Sequence, residues 1–182
     1  ARAAAEVLRG EQPSNAFALS VYGDAMWSAG LFDEADLGYR EALAAEPDQA
    51  RAHNGAARVL SARGRFDQAL EHSLRAVRLE PREPDFHHTL GNVYERLGRY
   101  DHAATALSSF INLLPKGMAD TRALWAMAEL KFLLSFGTKA PYEFISNPDQ
   151  VYTLPFRLEN EKIIIQGRVN GSRPHDFIVD TG

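Results

Sequence analysis

A skeleton of small and apolar residues recurs along this chain at a fixed spacing of 34 positions. The clearest copy runs from Pro84 to Gly117. Leu90, Gly91 and Tyr94 share one face of a helical pattern, Leu97-Gly98-Arg99-Tyr100 closes it, Ala103, Leu107 and Phe110 line a second pattern, and Pro115 ends it. One period earlier stand Ala57, Leu60, Gly64, Phe66, Ala69, Ala76 and Pro81, and one period before those Gly23, Met26, Gly30, Phe32, Ala35, Tyr39, Ala42 and Pro47. Two helical patterns and a turn, repeated without a gap, constrain the fold strongly. No single copy can bury its own apolar face, so neighbouring copies must stack to build a core.

The small residues have a packing reason. Gly23, Ala57 and Gly91 hold the eighth place of each copy, where two helices would cross closely, and Ala35, Ala69 and Ala103 do the same on the second helix. A bulky side chain there costs about 1–3 kcal/mol by overpacking. Gly30, Gly64 and Gly98 suit a left-handed C-terminal cap, and Pro47, Pro81 and Pro115 stop the second helices because proline has no N–H to continue them.

In these residues the chain resembles the tetratricopeptide repeat family, over 16–49, 50–83 and 84–117. Residues 1–15 resemble the tail of an earlier copy, with Ala1, Ala5 and Pro13 at the places of Ala35, Tyr39 and Pro47. The resemblance implies a mainly α fold, a right-handed superhelix of stacked helix-turn-helix repeats, whose first helices line a concave surface. The implied groove places hold Phe17, Ser20, Asp24, Trp27 and Ser28; then Arg51, Asn54, Arg58 and Ser61; then Asp85, His88, Asn92, Glu95 and Arg96. Of these, Trp27, Arg51, Asn54, Arg58, His88, Asn92 and Arg96 are the candidate peptide-binding residues. Guanidinium forks suit carboxylates, and aromatic residues are enriched at binding hot spots. The alternative is that these are solvated helix faces, with Trp27 packed against an earlier repeat. The family's carboxylate clamp for chaperone C-termini is not reproduced, because lysine is absent from the matching places.

Asp120 to Phe136 reads as one amphipathic helix with Leu124, Met127, Ala128 and Leu134 at helical spacing. A capping helix over 120–136 is the first expectation and a degenerate fourth repeat the second. Composition suits a globular or solenoid protein rather than a disordered one. Apolar residues make up 45% of the chain and the formal net charge is −4, so no global basic field favours nucleic acid. The 16 arginines against 4 lysines are read as genome composition. Cysteine is absent, which excludes disulfides and thiolate metal sites without fixing a compartment. No apolar run is long enough to cross a bilayer. His53 and His87 occupy the same inward place in adjacent copies and are positioned to stack. His87 and His88 point to different helix faces, and no histidine pair has ligand spacing, so neither a metal nor another cofactor is expected.

The pattern breaks at Gly137, and residues 137–150 read as a linker rich in turn residues. Tyr142, Phe144 and Ile145 within it are expected on the capping helix. From Val151 the period becomes that of strands: Tyr152–Leu158, Lys162–Val169 and a returning Asp176–Asp180. Asn170-Gly171 signals a two-residue hairpin turn. That turn would set Ile164 opposite Phe177 and Ile163 opposite Ile178, with apolar residues on both sides of a marginal ribbon. Asn170-Gly171-Ser172 is also a glycosylation sequon, read as incidental.

The hairpin and the closing Asp180-Thr181-Gly182 resemble the opening of a retropepsin-like aspartic protease, so 151–182 reads as the truncated start of such a β domain. The resemblance implies that Asp180 is a catalytic carboxylate sharing a proton with a second one, that Thr181 braces the loop and that Gly182 lets the backbone pass close. The flap and later strands of that family have no counterpart in these residues, so this polypeptide by itself is expected to be inactive. The sequence therefore points to a peptide-binding repeat solenoid (residues 1–136) joined to the beginning of an aspartic endopeptidase. The alternative is a pure binding or assembly module whose C-terminal hairpin is structural or, through its free edges, dimerising.

Overall fold

Left-handed glycines and short turns divide the helical part into pairs. The computed structural model describes residues 2–115, 121–135, 151, 153–160, 162–169 and 171–179. Eight helices precede three strands among them: α1 (Arg2–Glu11), α2 (Ala16–Ser28), α3 (Phe32–Ala45), α4 (Ala50–Ala62), α5 (Phe66–Leu79), α6 (Pro84–Arg96), α7 (Tyr100–Leu113), α8 (Thr121–Ser135), β1 (Phe156–Glu159), β2 (Lys162–Gly167) and β3 (His175–Val179). The chain divides into two compact units, Ala1–Pro141 and Tyr142–Gly182.

Each first helix ends in the same way. Gly30, Gly64 and Gly98 have φ of +76°, +73° and +69°. The next residue reaches back five positions, Leu31 N to Met26 O, Arg65 N to Leu60 O and Arg99 N to Tyr94 O, each at 2.9 Å. This is the Schellman closure, which satisfies carbonyls the helix end would leave bare. The starts differ. Asn15 caps α2 by accepting from Ala18 N at 3.0 Å, Gln49 caps α4 by accepting from Arg51 N at 2.8 Å, and Pro84 opens α6. The second helices have no side-chain cap bond but carry Asp33, Asp67 and Asp101 in their first turns, where negative charge meets the positive helix end.

The predicted crossing residues lie inside. Ala35, Ala57, Ala69 and Ala103 are fully buried, and Gly23 and Gly91 are buried. Tyr39 and Phe110, both at 0% exposure, fill the seams between pairs; burying side chains of this size contributes about 1.5–3 kcal/mol each. Tyr39 lies between two glycines: a Cβ on Gly23 would come within 2.6 Å of its ring and a Cβ on Gly55 within 2.1 Å. The first helices α2, α4 and α6 touch one another in series, whereas the second helices α3, α5 and α7 touch only first helices and, in the case of α7, α8. Closer spacing on one side curves the stack, so α2, α4 and α6 form its inner face.

α8 packs on α7, but not by the face read from the sequence. Leu124, Met127 and Leu134 are 64%, 45% and 63% exposed, and Ala128 is exposed. The buried face is Ala126 and Leu133, with Leu130 partly covered. Apolar residues run around most of this helix, so its periodicity admits two faces, and the small Ala126 allows the closer approach to α7.

The second unit contains a three-stranded antiparallel sheet in the order β1-β2-β3 rather than a hairpin alone. Two strands are shorter than read, β1 beginning at Phe156 and β2 ending at Gly167, while β3 begins one residue earlier, at His175. The expected pairing of Ile164 with Phe177 is off by one residue. Ile163 pairs with Val179, Ile164 with Ile178 and Ile165 with Phe177. The β2–β3 ladder ends at the Gly167–His175 pair, so the connection between these strands is longer than two residues. Ser172 N bonds Val169 O at 2.9 Å, Gly171 has φ +73°, and Pro174 offers no N–H to a ladder. The register places Phe156, Leu158, Ile163, Ile165, Phe177 and Val179 on one face. The other face mixes Ile164 and Ile178 with an Arg157–Glu159 pair at 2.8 Å and an Arg157–Asp176 pair. Asp180, Thr181, Gly182 and Asn170 lie outside the described residues, as do Tyr142, Phe144 and Ile145.

Candidate functional site

Residues 34 apart on α2, α4 and α6 form rows across the inner face. One row is Phe17, Arg51 and Asp85; a second is Asp24, Arg58 and Asn92; a third is Trp27, Ser61 and Glu95. Their side chains interlock at the α2–α4 seam. Arg51 Nη1 donates to Asp24 Oδ2 at 2.8 Å, and Arg58 Nη1 lies 3.4 Å from Asp24 Oδ1. Tyr39 reaches through from α3, its hydroxyl donating to Asp24 Oδ1 at 2.7 Å. Burial, then the charge of Asp24 and this bond, hold the Tyr39 hydroxyl well above the usual phenol range. Asp24 thus receives one neutral and two cationic donors.

Each arginine also covers an aromatic ring. The Arg58 guanidinium carbon lies 4.5 Å from the Trp27 ring centre and that of Arg51 5.5 Å from Phe17, distances at which the cation is attracted to the ring face. Trp27 is half-buried and meets Phe32 at 5.0 Å; Phe17 remains 55% exposed. Two guanidinium groups against one carboxylate leave a surplus positive charge beside two aromatic rings.

The other groove candidates separate. His88 is half-buried, its ring 4.9 Å from Phe110. Its pKa is lowered by burial, with Asp85 opposing and Arg122 and Arg58 adding to the lowering. Asn92 is half-buried and Arg96 exposed. Asn54 is only 7% exposed and its Oδ1 lacks a partner among the described residues, so it belongs to the floor rather than the open groove. Ser20 is fully buried and donates to Phe17 O at 2.7 Å.

The inner face continues to α8 through side chains. Asp85 Oδ1 pairs with Arg122 Nη1 at 2.8 Å, and the Glu129 carboxyl feels that of Glu95. Burial, then Glu95, pushes the Glu129 carboxyl up to about 7.

The expected stacking of His53 on His87 does not occur. Each instead donates from Nε2 to the proline carbonyl of the preceding turn, Pro47 O and Pro81 O, at 2.9 Å. A carbonyl only accepts, so His53 Nδ1 is bare and receives the Nδ1–H of His72 at 2.9 Å. Among the described residues no three His, Cys, Asp or Glu side chains are grouped to hold a metal ion, and no helix is long and apolar enough to cross a membrane.

Sequence reasoning missed Gly55 and Glu129, and it placed Tyr39 in the repeat skeleton without its bond to Asp24. Gly55 breaks the 34-residue pattern, since the same place holds Val21 and Thr89. An unrepeated glycine one period from a bulky residue was the available signal. Glu129 was hidden by the misassigned face of α8.

Two family models match this helical part: "TPR repeat" over residues 57–98 and "Tetratricopeptide repeat" over residues 84–115. No curated protein sequence matches. Solved structures share the fold at low identity. YrrB, described as a TPR protein with an unusual peptide-binding site, superposes with a TM-score of 0.63 at 20% identity, covering 76% of this chain and 68% of that one. MamA gives 0.59 at 19%, covering 72% and 73%. The first TPR of Spaghetti (RPAP3), bound to the HSP90 peptide SRMEEVD, gives 0.57 at 20%, covering 66% and 91%. The helical unit is therefore a stack of tetratricopeptide-type repeats, with a small antiparallel sheet following it in the chain.

Proposed function

We propose that the inner face of the repeat stack binds an extended peptide segment of a partner protein, making this chain a recruiting or assembly module. One observation carries the reading: Arg51 and Arg58 are braced against Phe17 and Trp27 while sharing a single carboxylate. Arginines held this way lose little entropy when they meet a ligand carboxylate, and their surplus charge favours one. The peptide complex of the RPAP3 repeat domain and the peptide site reported for YrrB support the reading by likeness of fold. Within it, residues 1–136 are the binding solenoid, 137–150 a linker and 151–182 a β appendage. The groove residues are Trp27, Arg51 and Arg58, with His88, Asn92 and Arg96 along the path and Asn54 beneath it. A peptide-library pull-down tests this. Ligands retained by the native chain are expected to be lost on Trp27→Ala or Arg58→Ala; equal retention by both variants refutes the groove as drawn.

A second reading concerns the tail. β3 ends at Val179, directly before Asp180-Thr181-Gly182, the order in which a retropepsin-like aspartic protease presents its catalytic carboxylate. On this reading the repeats recruit substrate for an endopeptidase in a longer chain. Such a protein would cleave peptides at acidic pH, and Asp180→Asn would abolish cleavage; cleavage surviving in that variant removes the role. Pairing of two copies through the free edges of β1 or β3 would appear in light scattering as a mass that rises with concentration, and a constant monomer mass removes it.

A further inference from the structure

His53 of α4 and His72 of α5 face each other, with their Nδ1 atoms 2.9 Å apart and their ring centres 5.0 Å apart. Both are half-buried. Nitrogens at that separation hold one proton between them. His53 Nε2 donates to Pro47 O at 2.9 Å, so His53 Nδ1 accepts and His72 Nδ1 donates. The other repeats lack this pair. His87 makes the same bond to Pro81 O at 2.9 Å, but Ala106 stands at the place of His72, and in the first repeat the two places hold Leu19 and Gly38. The pair therefore belongs to the middle repeat alone and is no part of the repeat pattern.

This arrangement accepts one added proton but not two. The first goes to His72 Nε2, the nitrogen left bare when Nδ1 donates. Burial, then His53, lowers the pKa of His72, with the exposed Glu71 opposing. A second proton has only His53 Nδ1, where it points straight at the N–H of His72. Two cationic rings cannot keep that separation. Other charged groups on the elements packed against α4 and α5 are engaged elsewhere. Asp24 of α2 is held by Arg51, Glu41 of α3 by Arg9, Asp36 of α3 by Arg63, Asp85 of α6 by Arg122, and Asp48 before α4 by Arg75. None of these is among the groups that act on His72.

We propose that His53 and His72 form an acid-sensitive latch, which closes the α4–α5 pair while a single proton lies between their Nδ1 atoms and releases it when both rings carry charge. The folded pair binds fewer protons than the free imidazoles of the unfolded chain, which titrate near about 6.5. Stability that is complete above that pH is therefore lost as pH falls below it. α4 also carries Arg51 and Arg58, so the latch steadies the helix from which both project. It acts whether or not the inner face holds a peptide.

The test is urea unfolding of the full chain, followed by helical circular dichroism at intervals from pH 7.5 to pH 5, for the native protein, His72→Ala and His87→Gln. At pH 7.5 the native chain should be the more stable of the first two. The unfolding equilibrium constant of the native chain relative to His72→Ala should then rise about tenfold by pH 5, since one proton of difference gives up to about tenfold per pH unit. His87→Gln removes the matching carbonyl bond of the third repeat, keeps the latch, and should keep the native response to acid. A second readout needs no variant. Imidazole proton resonances of the native chain should show the pair titrating in two steps separated by about one pH unit or more. An acid response that is the same in His72→Ala as in the native chain, one that disappears in His87→Gln, or two rings that titrate together near pH 6.5 overturns the latch.

Discussion

Replacing Gly55 by alanine adds a single methyl to α4, and the geometry states what it meets. The new Cβ would stand 2.1 Å from Tyr39 Cε1 and 2.2 Å from its Cζ, far inside any tolerated contact. The ring has nowhere to retreat. Gly23 presses on it from α2, where a Cβ would be 2.6 Å away, and its hydroxyl is tied to Asp24 at 2.7 Å. Relief requires that α4 move from α3 or that the Asp24 bond break. Overpacking of this kind costs about 1–3 kcal/mol, and an unyielding ring places it at the upper end. Alanine regains about 1 kcal/mol of helix propensity over glycine. The net loss is about 2 kcal/mol, which for a domain of this size lowers the melting temperature by roughly 4–8 °C. Thermal and urea unfolding followed by helical circular dichroism measure it. Gly10→Ala on α1, where a Cβ meets nothing within 4 Å, is the control and should be neutral or stabilising. Adding Tyr39→Leu to Gly55→Ala should recover part of the loss, a coupling that a double-mutant cycle reads directly. If Gly55→Ala proves as stable as the native chain, or the two changes simply add, the seam is not packed as described.

Other predictions follow from the same contacts. Tyr39→Phe keeps the ring and removes the bond to Asp24, costing about 1 kcal/mol in unfolding by urea. Glu129→Gln should stabilise the chain at pH 8 and leave it unchanged near pH 4. The folded-state pKa of Glu129 is raised to about 7, so between its unfolded value and 7 the folded state binds more protons, and stability falls as pH rises through that window. Water beside the pair screens the penalty to about 1 kcal/mol at pH 8. On α8, Leu133→Ala should cost about 2–4 kcal/mol, because Leu133 is 4% exposed, whereas Trp125→Ala, at a residue 74% exposed, should change stability by less than about 0.5 kcal/mol.

The repeat skeleton was legible because its signals are local and registered. Gly30, Gly64 and Gly98 end helices through a backbone geometry that glycine alone adopts easily, and Ala35, Ala69 and Ala103 mark crossings where nothing larger fits. Arg51, Arg58 and Trp27 were read as candidates from their places in the repeats, and the structure brings them together at the α2–α4 seam, but spacing alone did not foretell their mutual bracing. The Asp24 hub depends on Tyr39 entering from another helix, a contact that no spacing within α2 reveals. α8 was misread because a helix apolar over most of its surface does not declare which side is buried. The β register was misread because Asn170-Gly171 is a local turn signal, while the pairing was decided by the longer connection that Ser172 and Pro174 impose. That one-residue difference moved Phe177 onto the face that carries Ile163 and Ile165. Chemistry that depends on interactions between copies, such as Glu95 with Glu129, lies beyond periodicity altogether.

The claim that the inner face is the binding surface is tested most directly by site-specific photo-crosslinking. A photoreactive phenylalanine analogue is placed at Ser61, on the inner row between Trp27 and Glu95, and in a second protein at Leu74, which is exposed on the second helix α5. Each is mixed with a peptide recovered from the library. Crosslinking from position 61 and none from position 74 is the predicted result. Equal crosslinking from both, or crosslinking from position 74 alone, would contradict it.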